Sequence, residues 1–227
     1  MTLIAEDLLL LLLDDAKGTV STWGKTDAVL GGAILAELAV TGAVTVDEHK
    51  SIWRTDKVHA AEGAPADLEP LLAEALATIA EKDRKASALV GKIGKGLEGR
   101  LASRLADRGI LERRDGKLLG LFPRTTWPAA DTTHETDVRR TVTACLVHGV
   151  QPDERTGALI ALLTAIDQAH SAVTAGTTTP KKALEKKAKE IAAGQWAAKA
   201  VKDAVDAATA AMVVGVVAAS TAATAGG

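Results

Sequence analysis

The residues of this 227-residue chain with side chains suited to catalysis or metal binding are five histidines, one cysteine and a glycine–lysine cluster. His49, His59, His134, His148 and His170 never recur one helical turn apart, so no histidine pair for a helical zinc site is available. Cys145 lies in the apolar run 142–147 with no basic neighbour to lower its pKa, and reads as a small buried hydrophobe. A lone cysteine also excludes a disulfide framework and a Cys-based structural zinc site. Gly91-Lys92-Ile93-Gly94-Lys95-Gly96 lacks the G-x-x-x-x-G-K-[ST] spacing that cradles phosphates. It reads first as a break between two helices and second as a basic loop whose N–H groups approach an anion. Neither paired carboxylates in a catalytic context nor a dinucleotide fingerprint occurs. The expectation is a non-enzyme with no cofactor and no metal site.

Charge is more informative than chemistry. The formal net charge is only −2, yet residues 1–80 carry 13 acids against 5 cations, and residues 81–124 carry 12 cations against 6 acids. A basic middle in a near-neutral chain reads either as a solvated helix face or as a local surface for an anionic partner.

The elements that must position these groups are mostly helical. Hydrophobic residues make up 47% of the chain, but 45 of them are alanine, and aromatics reach only 2%. Alanine favours helices and close packing. So few rings argue against an all-β sandwich and against a base-stacking platform for single strands. Hydrophobic spacing and caps predict helices over 3–13, 26–40, 67–79, 85–93, 97–108, 132–148, 153–173 and from 180 onward. Thr132 with Glu135 forms a capping-box signature at the start of the 132–148 helix. Short strands are expected at 18–22, 43–46 and 52–58. Asp115-Gly116 is the preferred dipeptide of a tight hairpin turn, here between 110–114 and 117–122. The predicted class is mainly α: a single globular helical domain over 1–220 with short β-hairpins, one of them a protruding apolar and basic hairpin, and a frayed tail at 221–227.

Two apolar stretches bear on location. The leucine run 8–13 has no basic residue before it and is bounded by Glu6-Asp7 and Asp14-Asp15, which fits a buried helix better than a signal peptide. Residues 207–227 carry no charge but are mostly small, too weakly apolar to span a bilayer. A cytoplasmic protein is expected.

The order of motifs resembles the Golgi phosphoprotein 3 family. The resemblance runs through Leu3-Ile4-Ala5-Glu6-Asp7-Leu8-Leu9-Leu10, Gly18, Trp23, Leu30-Gly31-Gly32-Ala33-Ile34-Leu35-Ala36-Glu37-Leu38, Arg100-Leu101-Ala102, Gly109-Ile110-Leu111, residues 118–126 and Arg155-Thr156. It covers roughly residues 2–175, and the alanine-rich brevity points to a bacterial, actinobacterial member. It implies a peripheral membrane protein, here on the inner face of the membrane, that binds phosphatidylinositol 4-phosphate in a pocket of one tryptophan and several arginines. It also implies a hairpin that inserts into the bilayer or forms a homo-oligomer, and partners among the cytoplasmic tails of membrane proteins. Trp23 matches the pocket tryptophan, whereas the family arginines fall on Gly31, Lys95 and Glu98, with Arg100 matching a further one. The implied headgroup set is therefore Trp23, Lys95 and Arg100. Lysine offers a point charge where arginine offers a bidentate fork, so generic anionic lipid is expected over one specific headgroup.

Leu118, Leu119, Leu121 and Phe122, with Trp127 beyond Pro123, supply the apolar part of the hairpin, and Arg113, Arg114, Lys117 and Arg124 flank it. Apolar residues beside cations suit shallow insertion, and insertion or oligomerisation is expected over a core-facing hairpin because consecutive Leu118-Leu119 must face both sides of a strand. The alternative function is a winged-helix DNA-binding regulator, because Arg100, Arg104 and Arg108 align on one helix face just before the hairpin. Against it, Ser103 is the one residue beside them suited to reading base edges, and nucleic acid is an unexpected partner for an acidic chain.

Overall fold

The computed structural model describes residues 2–20, 26–46, 57–82, 84–118, 122–197, 202–203 and 205–214. Trp23, Leu119, Leu121 and the tail 221–227 lie outside the described residues. At Leu118 and Phe122 the backbone is described and the side chains are not.

Three helices make the centre. α1 (Ile4–Leu12) is buried on every side, as expected of a helix apolar all round. α2 (Thr26–Val40) crosses it, buried at nearly every position from Val29 to Ala39. α7 (Glu154–Ala165), capped by the Asp153 carboxylate accepting from Thr156 N–H at 2.7 Å, is buried from Thr156 to Leu163. Amphipathic helices surround these: α3 (Pro70–Ala80), α4 (Ala86–Gly94), α5 (Leu97–Asp107), α6 (Thr133–Leu146) and α8 (Lys181–Ala193). A further helical segment at 205–214 packs Met212 against Gly32 of α2. The class is thus mainly α, with short antiparallel strands.

α2 and α4 touch backbone to backbone. A methyl group built on Gly31 would stand 2.0 Å from the Val90 carbonyl oxygen, and one on Gly94 would stand 1.7 Å from that of Asp27. Gly31 is where the family resemblance places an arginine, and the contact leaves no room there for any side chain.

The strands depart from expectation in three ways. β1 (Val44–Val46) pairs with β2 (Lys57–Ala60), which shares residues 57–58 with the strand expected at 52–58 and runs on to Ala60, residues 52–56 lying outside the described ones. A two-residue β3 (Arg84–Lys85) completes the sheet in the order β1-β2-β3. Asp115-Gly116 is not a turn. It lies inside β4 (Arg114–Leu118), which pairs with β5 (Phe122–Thr126) in the register Asp115↔Thr125 and Leu118↔Phe122. The Thr125 hydroxyl donates to the Asp115 carboxylate at 2.8 Å across the ladder, and the Leu111↔Ala129 bridge pins the root. At α6 the expected capping box is absent: Thr132 makes no side-chain cap, the Asp131 carboxylate accepts from Thr133 N–H at 2.8 Å, and Glu135 turns to Arg139. α7 also ends at Ala165, short of residue 173.

Candidate lipid-facing site

The expected headgroup residues converge only in part. The first turn of α2 meets the junction between α4 and α5, which brings Thr26 and Asp27 beside Gly94 and Glu98. Lys95, at the end of α4, is exposed. Glu98 is half-buried and accepts a hydrogen bond from the Thr26 hydroxyl. Burial, reinforced by the nearby Asp27 charge and opposed by that hydrogen bond, pushes the Glu98 carboxyl above the usual carboxylate range. Arg100 points elsewhere, making a bidentate pair with Glu74 of α3 at 2.5 and 3.0 Å on the exposed surface. A phosphate arriving near Lys95 would therefore meet a carboxylate at Glu98 and find Arg100 engaged.

The next two arginines, Arg104 of α5 and Arg108 at its end, turn toward the first turn of α1. Arg104 Nε donates to Glu6 at 3.1 Å, and its guanidinium also pairs with Glu69, which caps α3. Arg108 reaches the same Glu6 at 3.0 Å. Glu6 is completely buried and also accepts from Leu3 N–H at 2.8 Å. Its neighbour Asp7 accepts from Arg155 of α7 at 2.8 Å and lies 2.7 Å from His134 Nε2. Arg155 in turn donates to Glu37 at 2.7 Å and to the Thr2 carbonyl at 2.7 Å, and Glu37 accepts from Ile4 N–H. Burial raises the Glu37 carboxyl pKa despite these donors. Burial works against the Arg155 charge as well, but Glu37 and Asp7 outweigh it and hold the guanidinium protonated. These groups clamp the first turn of α1 to α2, α5, α6 and α7. Arginines so engaged are not available to read a DNA groove. Sequence reasoning missed the whole clamp, and the adjacent acids Glu6-Asp7 opening an apolar helix were its one visible sign.

The β4–β5 ribbon is the opposite environment. It packs substantially on no helix and on no other sheet among the described residues. Glu112, Arg113, Arg114, Asp115, Gly116, Arg124 and Thr125 are exposed. Arg114 pairs with Glu112 at 2.7 Å and Arg113 with Asp115 at 3.1 Å, leaving more cations than acids on the ribbon. Its root is fixed. Trp127 N–H donates to the Gly18 carbonyl at 2.9 Å, and Glu112 N–H donates to that of Pro128 at 2.9 Å. Gly18 has φ +61°, and a methyl on it would fall 2.2 Å from Pro128 N, so only glycine fits beneath the ribbon. Trp127, expected among the apolar tip residues, instead sits in this root with 8% of its surface exposed and the Arg113 guanidinium 5.9 Å above its ring. Trp127 therefore belongs to the buried root of the ribbon rather than to an exposed apolar tip.

Among the described residues no helix is long and apolar enough to cross a membrane, and no group of three metal-ligating side chains gathers. Fold and site together define a mainly helical protein with a projecting, basic β-ribbon. The family model for Golgi phosphoprotein 3 (GPP34) matches residues 4–208, so the chain belongs to that family. No curated protein matches the chain.

Proposed function

We propose that this protein is a peripheral membrane protein that docks on anionic phospholipid through the β4–β5 ribbon, from the inner face of the membrane. The observation that carries the reading is the register, which runs from Arg114↔Thr126 beside the anchored root to Leu118↔Phe122, the two ends in sequence of the apolar run Leu118-Leu119-Gly120-Leu121-Phe122. Arg113, Arg114, Lys117 and Arg124 lie along the strands behind that run. Apolar residues ahead of cations let an element enter the headgroup layer shallowly while its charges meet lipid phosphates. The family membership supports a lipid partner. Headgroup selection at Trp23, Lys95 and Arg100 is weak in this reading, because Arg100 is occupied by Glu74 and Glu98 adds a negative charge.

Co-sedimentation with vesicles tests it. The chain is expected to bind phosphatidylserine and phosphatidylinositol 4-phosphate vesicles about equally at matched surface charge, and neutral vesicles hardly at all. Leu119→Ser with Phe122→Ser is expected to abolish binding without altering the helical circular dichroism. Undiminished binding by this folded variant, or loss of the fold itself, would rule the ribbon out as the docking element.

A further inference from the structure

We infer that the solvent-facing stripe of α8, together with Val150, forms a second contact with the anionic leaflet; this rests on the membrane reading above. α8 divides cleanly into two faces. Leu184, Ala188 and Ile191 are buried against the body. Opposite them Lys182, Lys186 and Lys189 recur with the same helical spacing, all exposed. The remaining cations of the helix are neutralised on its flanks: Lys181 pairs with Glu185 at 3.6 Å and Lys187 with Glu190 at 3.7 Å. Lys182 and Lys189 make no ion pair among the described residues, and Lys186 has only a long one to Glu190 at 3.9 Å. The central stripe is therefore positive, and its counter-charges have been spent to either side.

Next to the flank of α8 that carries Lys187 and Glu190, an apolar side chain is held out to solvent. Val150 is 53% exposed, the most exposed large apolar side chain among the described residues after Val214. Its N–H donates to the Ala144 carbonyl at 3.0 Å, so an ordered loop presents it. Val150 shares a shallow groove of about 150 Å³ with Lys187, Glu190, Ile191 and Trp196. In an interfacial contact the apolar group enters below the plane where neighbouring cations rest, and Val150 stands next to Lys187 on one flank of the stripe.

The chemistry of the stripe selects a leaflet over other polyanions. Lysines on long flexible stems act as separate point charges, suited to a fluid surface of many phosphates, whereas a fixed phosphate favours arginine forks. The stripe lines a wide, open groove in which Glu185 and Glu190 stand beside its lysines, and an exposed valine gains nothing against a nucleic-acid backbone. Each lysine near an anionic leaflet contributes about fivefold in affinity.

Two double variants with the same change in net charge test the stripe, using the full chain and phosphatidylcholine vesicles with and without phosphatidylserine. Lys182→Gln with Lys189→Gln is expected to weaken binding to the anionic vesicles roughly 25-fold. Lys181→Gln with Lys187→Gln removes cations already paired on the flanks and is expected to cost less than about threefold. Val150→Ser should weaken binding severalfold at low and high salt alike. Equal losses from the two lysine pairs, or none from the stripe pair, would overturn the inference, as would a stripe-pair loss confined to duplex DNA. If the stripe pair binds as wild type while Leu119→Ser with Phe122→Ser does not, the stripe falls and the ribbon stands. If the reverse holds, the ribbon falls and the stripe stands. Absence of any binding by the wild-type chain would overturn both.

Discussion

Two regions of this molecule use the same kinds of charged side chain to opposite ends. At the first turn of α1, Glu6, Asp7 and Glu37 are buried and held by Arg104, Arg108, Arg155 and His134. On the β4–β5 ribbon, Arg113 and Arg114 make pairs just as short with Asp115 and Glu112, but every partner is more than half exposed. Distance does not separate the two sets; water does. A buried carboxylate left without its cation has no solvent to turn to, whereas an exposed one exchanges a guanidinium for water at little cost. The clamp is thus part of the fold, and the ribbon's charges are free to serve a partner.

The sharpest way to break the comparison is at Arg155, which joins α7 to Asp7, Glu37 and the Thr2 carbonyl. Arg155→Met keeps most of the volume and strands two buried carboxylates. A loss of about 3–5 kcal/mol is expected in urea denaturation at neutral pH. The pH dependence has a definite sign. Glu37 already binds its proton more tightly folded than unfolded because burial disfavours its charge. Removal of the Arg155 charge raises that pKa further. A carboxyl raised in the folded state gains stability as pH falls through its folded pKa, and the gain is complete near the ordinary carboxylate value. The deficit of the variant should therefore be largest at neutrality and shrink towards about pH 5. A deficit that grew on acidification would mean that the clamp is not held by these charges.

Glu98 lies between the two extremes, half-buried beside Asp27 with no cation among its hydrogen-bond partners in the described residues. Glu98→Gln removes the charge that burial and Asp27 disfavour and keeps a carbonyl oxygen to accept from Thr26. By the same sign rule, wild-type stability should rise as pH drops from neutrality toward the carboxylate range, and the variant should lack that rise. The stabilisation at neutral pH is expected to be under about 1 kcal/mol after allowance for screening by nearby water. Thermal melts of the two proteins between neutrality and mild acid would show whether the curves converge. Divergence on acidification would place the strain elsewhere.

Much of the fold was legible in the sequence, and for identifiable reasons. The leucine run after Glu6-Asp7 is apolar in every direction, so it had to become a central helix, and α1 is one. Leu184, Ala188 and Ile191 carry the helical period and became the buried face of α8. What the chain did not disclose was direction and distance between elements. Arg100, Arg104 and Arg108 lie on one face by spacing alone, but whether that face meets DNA or Glu6 depends on where α1 packs. The Asp115-Gly116 dipeptide pointed to a turn, but the pairing of Asp115 with Thr125 and of Gly116 with Arg124 put it inside a strand. β3 has two residues, too few for any pattern. The backbone contact at Gly31 was likewise out of reach, since a glycine within a helix gives no sign of what approaches it.

The gentlest change tests the other side of the comparison. Arg114 pairs with Glu112 at the surface, where the bond holds the Glu112 carboxyl below its usual range but both groups stay more than half exposed. Arg114→Ala should leave the urea midpoint unchanged within error. The same substitution removes a cation from behind the apolar run, and vesicle affinity is expected to fall about fivefold at low salt and hardly at all at high salt. If stability falls while vesicle binding holds, the ribbon's charges belong to the fold after all, and the contrast with the α1 clamp collapses. If both hold, Arg114 serves neither, and the ribbon's work passes to Arg113, Lys117 and Arg124. Affinity lost without stability is the outcome that separates a charge kept for a partner from one kept for the core.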